Sequence, residues 1–329
     1  MKATCVTFYE FGSPENVLKV ENKSIQQPMN GEVLVRMTLR PINPSDLLPI
    51  FGTYSHRISL PSIPGYEGVG VVEEIGPFVS HDLIGRRVLP LRGEGTWQEF
   101  VRTSANLAVP IPHSIRDETA AQLYINPLTA WLTCTDVLAL KPEDILLVNA
   151  GGSAIGRIFA QLSNILGFRL IAVTRNNVHT KELLQLGASD VINTSDTSLH
   201  SMVMELTEGR GANAAIDSVG GVEGTELAFC LQPDGILLTI GLLSGQPINW
   251  AKISKQTKVK VKMFHLRHWN QQVSVEKWQE TFDYIFTLLN NKKLRLMIPN
   301  SHYALSEVHE AIRFVESSSG NKGKTLLFS

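Results

Sequence analysis

Hydrophobic and polar positions change rhythm twice along this chain. Up to about residue 117 they alternate in short runs. "EVLVRMTLRPINPSDL" sets Val33, Val35 and Met37 on one side before two prolines stop it, and "YEGVGVVEEIG" and "TWQEFVRTS" follow between glycine and proline breaks. Alternation with a period of two predicts half-buried strands. "DETAAQLYINPLTAWLTCTDVLAL" then turns helical, with Pro127 forcing a break or restart.

Beyond it, strands and helices take turns. Strand 145–149 leads to helix 154–166, where Ile155, Ile158, Phe159, Leu162, Ile165 and Leu166 form one stripe. Strand "RLIAVTR", helix "TKELLQLG", strand "DVIN", helix "LHSMVMELT", strand "AAIDSVG", helix "GTELAFCL" and strand "GILLTIGLLSG" continue the series. This rhythm predicts a parallel, doubly wound sheet. Two further helices, in "VEKWQETFDYIFTLLNN" and "LSEVHEAIRFVES", and a last strand "GKTLLFS" close the chain. The simplest organisation is α/β: a dinucleotide-type domain over 125–265, inserted between the two pieces, 1–124 and 266–329, of a β-rich domain.

Composition narrows the possibilities. With 329 residues, 43% hydrophobic and 19% charged, the chain suits two folded domains rather than disorder. A net charge of −1 gives no electrostatic reason to expect nucleic acid or a membrane surface as partner. No apolar run approaches the ~18 residues of a membrane span, and the N-terminus carries no apolar signal region. Cys5, Cys134 and Cys230 are far apart and read as buried free thiols. The expectation is a cytoplasmic protein acting on a small molecule.

Candidate chemistry begins where strand 145–149 meets the next helix. A dinucleotide fingerprint reads G-x-G-x-x-G; here the frame is Gly151-x-Ser153-x-x-Gly156. The first glycine makes the tight turn, and the third lets helix and strand pack closely. Gly152, Ser153, Ala154 and Ile155 fill the frame, with the Ser153 hydroxyl free to meet a phosphate oxygen or cap the helix. The motif alone also fits a glycine-rich turn with no ligand. The next strand shifts the balance. Arg175 stands near the ~20-residue spacing at which NAD-binding domains carry an acidic residue for the ribose. A guanidinium there holds a 2′-phosphate that a carboxylate would repel, and Lys181 follows. The cofactor expected is NADPH.

Taken together, "MKATCVTFYEFGSPENVLKVEN", "PINPSDLLPIFGTY", "IPGYEGVGVVEEIG" and "NPLTAW…LALKPEDILLVNAGGSAIG" resemble the medium-chain dehydrogenase/reductase superfamily in order and over essentially the whole chain. The resemblance implies a GroES-like, β-rich catalytic domain around a Rossmann domain, with the active site in the cleft between them and a homodimer as assembly. It departs from the zinc alcohol dehydrogenases. Their metal-ligand positions fall on Asn43, Tyr66 and a site near Ile125, leaving Glu67 as the one nearby residue that zinc would accept. His113, His265 and His268 read as surface or hydrogen-bonded residues.

The zinc-free branches that the chain resembles are the quinone oxidoreductases and the mitochondrial-type trans-2-enoyl thioester reductases. "NPSD", the serine of the glycine loop and the aromatic stretch "MFHLRHWN" lean toward the second. The resemblance makes Tyr54 the catalytic candidate, with Asn43 orienting substrate or bonding the nicotinamide ribose. It sets Thr129, Gly220, Gly241, Phe264 and Lys324 among the cofactor contacts, alongside Gly221 and Gly245 at strand ends. Glu67 reads as a supporting carboxylate and Trp97 as core. The expected activity is metal-free, NADPH-dependent reduction of an activated C=C bond. Quinone reduction, alcohol dehydrogenase-like chemistry and non-catalytic NADPH binding are the alternatives.

Overall fold

The alternating runs at the start of the chain become antiparallel strands. In the computed structural model, which describes residues 2–317 and 323–329, β1 (Lys2–Phe8), the helical turn α1 (Pro14–Val17) and β2 (Leu18–Ser24) precede the long strand β3 (Glu32–Pro41). There follow α2 (Pro44–Ile50), β4 (Val69–Ile75), β5 (Arg87–Pro90), β6 (Phe100–Ser104), β7 (Ala108–Pro110) and α3 (Asp117–Ala120). β1 pairs with β2, and β3 pairs with both β4 and β6. Pro44 takes the first helical position, where its missing N–H costs no hydrogen bond, and the helix runs on to Ile50.

The helical stretch after residue 117 breaks in two. α4 (Ile125–Leu132) restarts it with Pro127 at the third position, still among the N–H groups that have no partner within a helix. Then come β8 (Ile145–Val148), α5 (Ala154–Leu166), β9 (Arg169–Thr174), α6 (Thr180–Leu186), β10 (Asp190–Asn193), α7 (Leu199–Leu206) and β11 (Ala212–Asp217). α8 (Gly221–Phe229), β12 (Leu231–Thr239), α9 (Trp250–Gln256), β13 (Lys260–Met263) and α10 (Leu266–Gln272) complete the series. The six strands are all parallel, in the order β10-β9-β8-β11-β12-β13. Counted from β8 this is 3-2-1-4-5-6, the Rossmann order. Leu147, Ile171, Ala215 and Leu237 are fully buried at its centre.

The tail returns to the first sheet through α11 (Val275–Asn290), β14 (Pro299–Ala304), α12 (Val308–Glu316) and β15 (Lys324–Phe328). β15 lies between β14 and β3, giving the sheet order β14-β15-β3-β4-β5-β7. The chain thus divides into two units. The first comprises 1–125, 272–292 and 296–329, and the second comprises 126–271 and 293–295. Strand β12 begins earlier and ends sooner than the run "GILLTIGLLSG" suggests, because Gly241 and the residues after it leave the ladder.

α11 buries its apolar stripe in the first unit. Trp278 is wholly buried, its ring 5.8 Å from Tyr124 and 5.3 Å from Phe282, and the Arg92 guanidinium lies 5.4 Å from its centre. Trp278→Ala empties that space and should cost about 3–5 kcal/mol. The urea unfolding midpoint of the variant is expected to fall accordingly.

Candidate active site

In the six-stranded sheet the strand order reverses between β8 and β11, and ligands of such sheets bind beyond the strand ends at that point. Asn149, just after β8, donates to the Asp217 carboxylate at 2.6 Å and accepts from the Ser218 N–H at 2.8 Å. Asp217 also accepts the N–H groups of Val219 and Gly220. This buried clamp fixes the two loops that flank the reversal. Sequence reading missed it, although a polar residue ending each of two apolar strands was its signal.

The glycine loop lies beside it. Ser153 is the N-cap of α5, and its hydroxyl accepts the Gly156 N–H at 3.2 Å. A Cβ on Gly156 would come 2.2 Å from the Gly151 carbonyl oxygen, so no larger residue fits where helix meets turn. A Cβ on Gly152 would strike the His179 ring at 2.4 Å. Ala154 and Ile155 open the helix.

Arg157 secures this loop from within. Its guanidinium makes a two-pronged pair with Glu182 on α6, at 2.9 and 2.8 Å, donates to the Gly152 carbonyl, and lies 3.2 Å from His179 Nδ1. Hydrogen bonding to Arg157 holds Glu182 below the usual carboxylate range. Burial, and then the Arg157 charge, lower His179. Sequence reading did not single out any of the three.

Arg175 follows β9 directly and is exposed, and its carbonyl accepts from Ser195 Oγ at 2.5 Å. β8 and β9 are parallel neighbours, so Arg175 and the glycine loop share the carboxyl edge of the sheet. Lys181 is exposed on α6. Thr129 is buried in α4. Gly220 caps α8, Gly241 follows β12, and Phe264, just past β13, donates its N–H to Thr239 at 2.9 Å.

The first unit holds a second polar cluster, entirely buried. Asn43 (2% exposed), Asp46 (1%), Glu67 (1%) and Lys324 (5%) meet there. Asn43 stands at the N-cap of α2, yet its side chain makes no cap bond. Its amide instead donates to Glu67 Oε1 at 2.8 Å and accepts from the Lys324 ammonium. Glu67 Oε2 takes the N–H groups of Tyr124 at 3.0 Å and Ile125 at 2.8 Å. Asp46 accepts the Asn43 N–H at 2.7 Å, and its other oxygen has no hydrogen-bond partner.

Burial raises Glu67, against the pull of Lys324. Burial likewise lowers Lys324, against Glu67 and Asp46. Asp46 is pushed up to about 7, by burial first and by the Glu67 charge second. Two residues expected at the cofactor, Asn43 and Lys324, are thus bonded to each other, and Asn43 to Glu67 as well.

Tyr54 caps the short turn Ser55–Arg57 after α2, with the Arg57 guanidinium 3.8 Å from its ring centre. Trp97 is wholly buried. At the three positions that carry metal ligands in zinc relatives, Asn43 is an amide already engaged, Tyr66 is exposed, and Ile125 contributes a main-chain N–H to Glu67. This donor set does not suit zinc. Among the described residues no group of three or more His, Cys, Asp or Glu side chains converges.

Comparison with known proteins agrees with this architecture. A family model described as the alcohol dehydrogenase GroES-like domain matches residues 29–113, and one described as zinc-binding dehydrogenase matches 154–287. The mitochondrial enoyl-[acyl-carrier-protein] reductase of Dictyostelium discoideum is 30% identical over 320 residues, covering 94% of this chain and 91% of that protein. A crystal structure of a candidate NADPH:quinone reductase from Bacillus thuringiensis is 61% identical, with a TM-score of 0.98 over 100% of this chain and 99% of that one. Escherichia coli quinone oxidoreductase in complex with NADPH is 26% identical, with a TM-score of 0.91 over 99% and 100% of the two chains.

An inserted Rossmann sheet, a glycine loop with Ser153 at its middle position and a GroES-like β-rich unit define a dinucleotide-dependent oxidoreductase of two domains. The chain belongs to the medium-chain dehydrogenase/reductase superfamily, in its zinc-free quinone oxidoreductase/enoyl reductase type.

Asp46 gives the cluster a stability that depends on pH. Its folded-state value, about 7, lies above the ordinary ~3.9 of an aspartate, so the folded protein holds a proton that the unfolded chain has released. The stabilisation is complete below about pH 4 and is lost as pH rises through about 7. Asp46→Asn keeps an acceptor for the Asn43 N–H and does not titrate. Its melting temperature should fall less between pH 5 and pH 8 than that of the wild type.

Proposed function

We propose that the protein reduces an activated carbon–carbon double bond, in a 2-enoyl thioester or an enone, with NADPH as hydride donor and without a metal. NADPH-dependent reduction is the activity of its family type. The observation that carries the cofactor assignment to this chain's residues is Arg175, on the carboxyl edge next to the glycine loop, where an acidic residue would favour NAD. The positive end of α5 and the free N–H groups of the loop suit the pyrophosphate. The extent of the match with the Dictyostelium enoyl reductase supports the enoyl reading.

Reduction of such a substrate needs a hydride at the β-carbon and a proton at the α-carbon. Charge gathers meanwhile on the carbonyl oxygen, and a donor aimed at that oxygen stabilises it. We assign this role to Tyr54, whose phenolic O–H is a hydrogen-bond donor. Quinone reduction is the second reading, favoured by the 61% identity to the Bacillus thuringiensis protein. A panel of enoyl thioesters, enones and quinones, read as NADPH oxidation, separates the two.

One charged hydrogen-bonding contact is worth about 1.5–3 kcal/mol, so NADPH should bind roughly 10- to 100-fold tighter than NADH. Arg175→Asp is expected to narrow or reverse this preference in fluorescence titrations. Equal affinities in the wild type would remove Arg175 from the 2′-phosphate.

Tyr54→Phe should lower kcat on enoyl substrates by about 10²–10⁴-fold, the usual worth of a general acid, with NADPH affinity almost unchanged. On quinones the loss should be smaller. Enoyl reduction that survives the substitution would make Tyr54 a packing residue and favour quinones as substrates.

A further inference from the structure

Arg157 is buried in the first turn of α5 and reaches back to the loop that precedes its own helix. Its guanidinium serves acceptors on three segments: the Gly152 carbonyl in the loop, His179 Nδ1 at the cap of α6, and both Glu182 oxygens on α6 itself. A guanidinium suits this because its donors form a rigid planar fork. It can also only donate. His179 Nδ1, 3.2 Å away, is therefore the acceptor, which makes the ring neutral with its proton on Nε2.

The peptide between Gly152 and Ser153 is thereby held at both ends. Its carbonyl accepts from Arg157, and its N–H, that of Ser153, donates to the Ala150 carbonyl at 2.9 Å. Turning the peptide would break both bonds. His179 closes another side, since its ring occupies the space where a Cβ on Gly152 would stand. The Gly151 N–H is fixed as well, on the Val173 carbonyl at 3.0 Å. The opening N–H groups of α5 have no partner within the helix and are left for an anion. A loop already ordered in this way binds its ligand without the cost of ordering it.

We propose that Arg157 is a positioning residue for the cofactor, holding the Gly152 carbonyl toward α6 so that the glycine loop is preset for the dinucleotide pyrophosphate. The role rests on the assignment of the pyrophosphate to this loop. NADPH and NADH share that group, so Arg157 favours both equally, whereas Arg175 favours NADPH.

Arg157→Met keeps the length of the side chain and removes every donor. In fluorescence titrations of the purified full chain it should weaken NADPH and NADH by the same factor, on the order of tenfold, and leave the preference between them as in the wild type. Hydrogen exchange of the amides of residues 150–156 in the cofactor-free protein should quicken, and kcat at saturating NADPH should not fall. Glu182→Gln leaves Arg157 in place but takes away its ionic anchor, and should give a smaller loss in the same direction. It decides the matter if Arg157→Met does not fold. Wild-type affinity for both dinucleotides, or unchanged exchange of the loop, would overturn the proposal even if the melting temperature fell, because a pin that only joins α5 to α6 affects stability alone. A loss confined to NADPH would overturn it too, by putting Arg157 at the 2′-phosphate. Binding of neither dinucleotide by the wild type would remove the pyrophosphate assignment itself, whereas binding of both by the wild type keeps that assignment whatever Arg157 does.

Discussion

Two backbone N–H groups, one from Tyr124 and one from Ile125, point at a single buried carboxylate, Glu67, and much of the first unit depends on that meeting. Glu67 takes a third donor from Asn43 and sits in the field of Lys324. A buried carboxylate without such partners would cost several kcal/mol. Its hydrogen-bond donors come from the start of α2 and the entry to α4, and the nearby cation from β15 bonds the same Asn43, so three distant stretches of sequence meet around one carboxylate. Around Glu67, an amide and two main-chain N–H groups supply the hydrogen bonds and the Lys324 ammonium supplies the opposing charge.

The second unit was largely legible in the sequence, and the reason is periodicity. α5 spans the residues that its apolar stripe marks out, and β8 through β12 follow the written alternation, because a parallel sheet covered on both faces leaves a strong pattern. The elements that escaped are those with little of it. β13 reads Lys-Val-Lys-Met and has no fully buried residue, while β14 is six residues at the sheet's edge. α2 is too short to show a period, and it carries Pro44 at its first position, where the missing N–H costs nothing, and Pro49 within it.

The site was legible in kind and less so in its wiring. Gly151, Ser153, Gly156 and Arg175 stand where their spacing put them, on the carboxyl edge of the sheet. The pin that Arg157 forms with Glu182, and the Asn149–Asp217 clamp, depend on side chains 25 and 68 residues apart in sequence. Such pairs carry no periodic signal. Neither does the joining of Asn43 and Lys324, separated by 281 residues.

That last separation has a consequence for how the chain comes off the ribosome. β15 emerges after the whole of the second unit, so the strand that completes the first sheet, and the cation that balances Glu67 and Asp46, arrive late. Until then the nascent first unit has two carboxylates with nowhere dry to go, while the six-stranded sheet already has nearly all of its chain. Vectorial synthesis therefore favours the inserted domain as the earlier structure, with the enclosing one closing over its charges at the end.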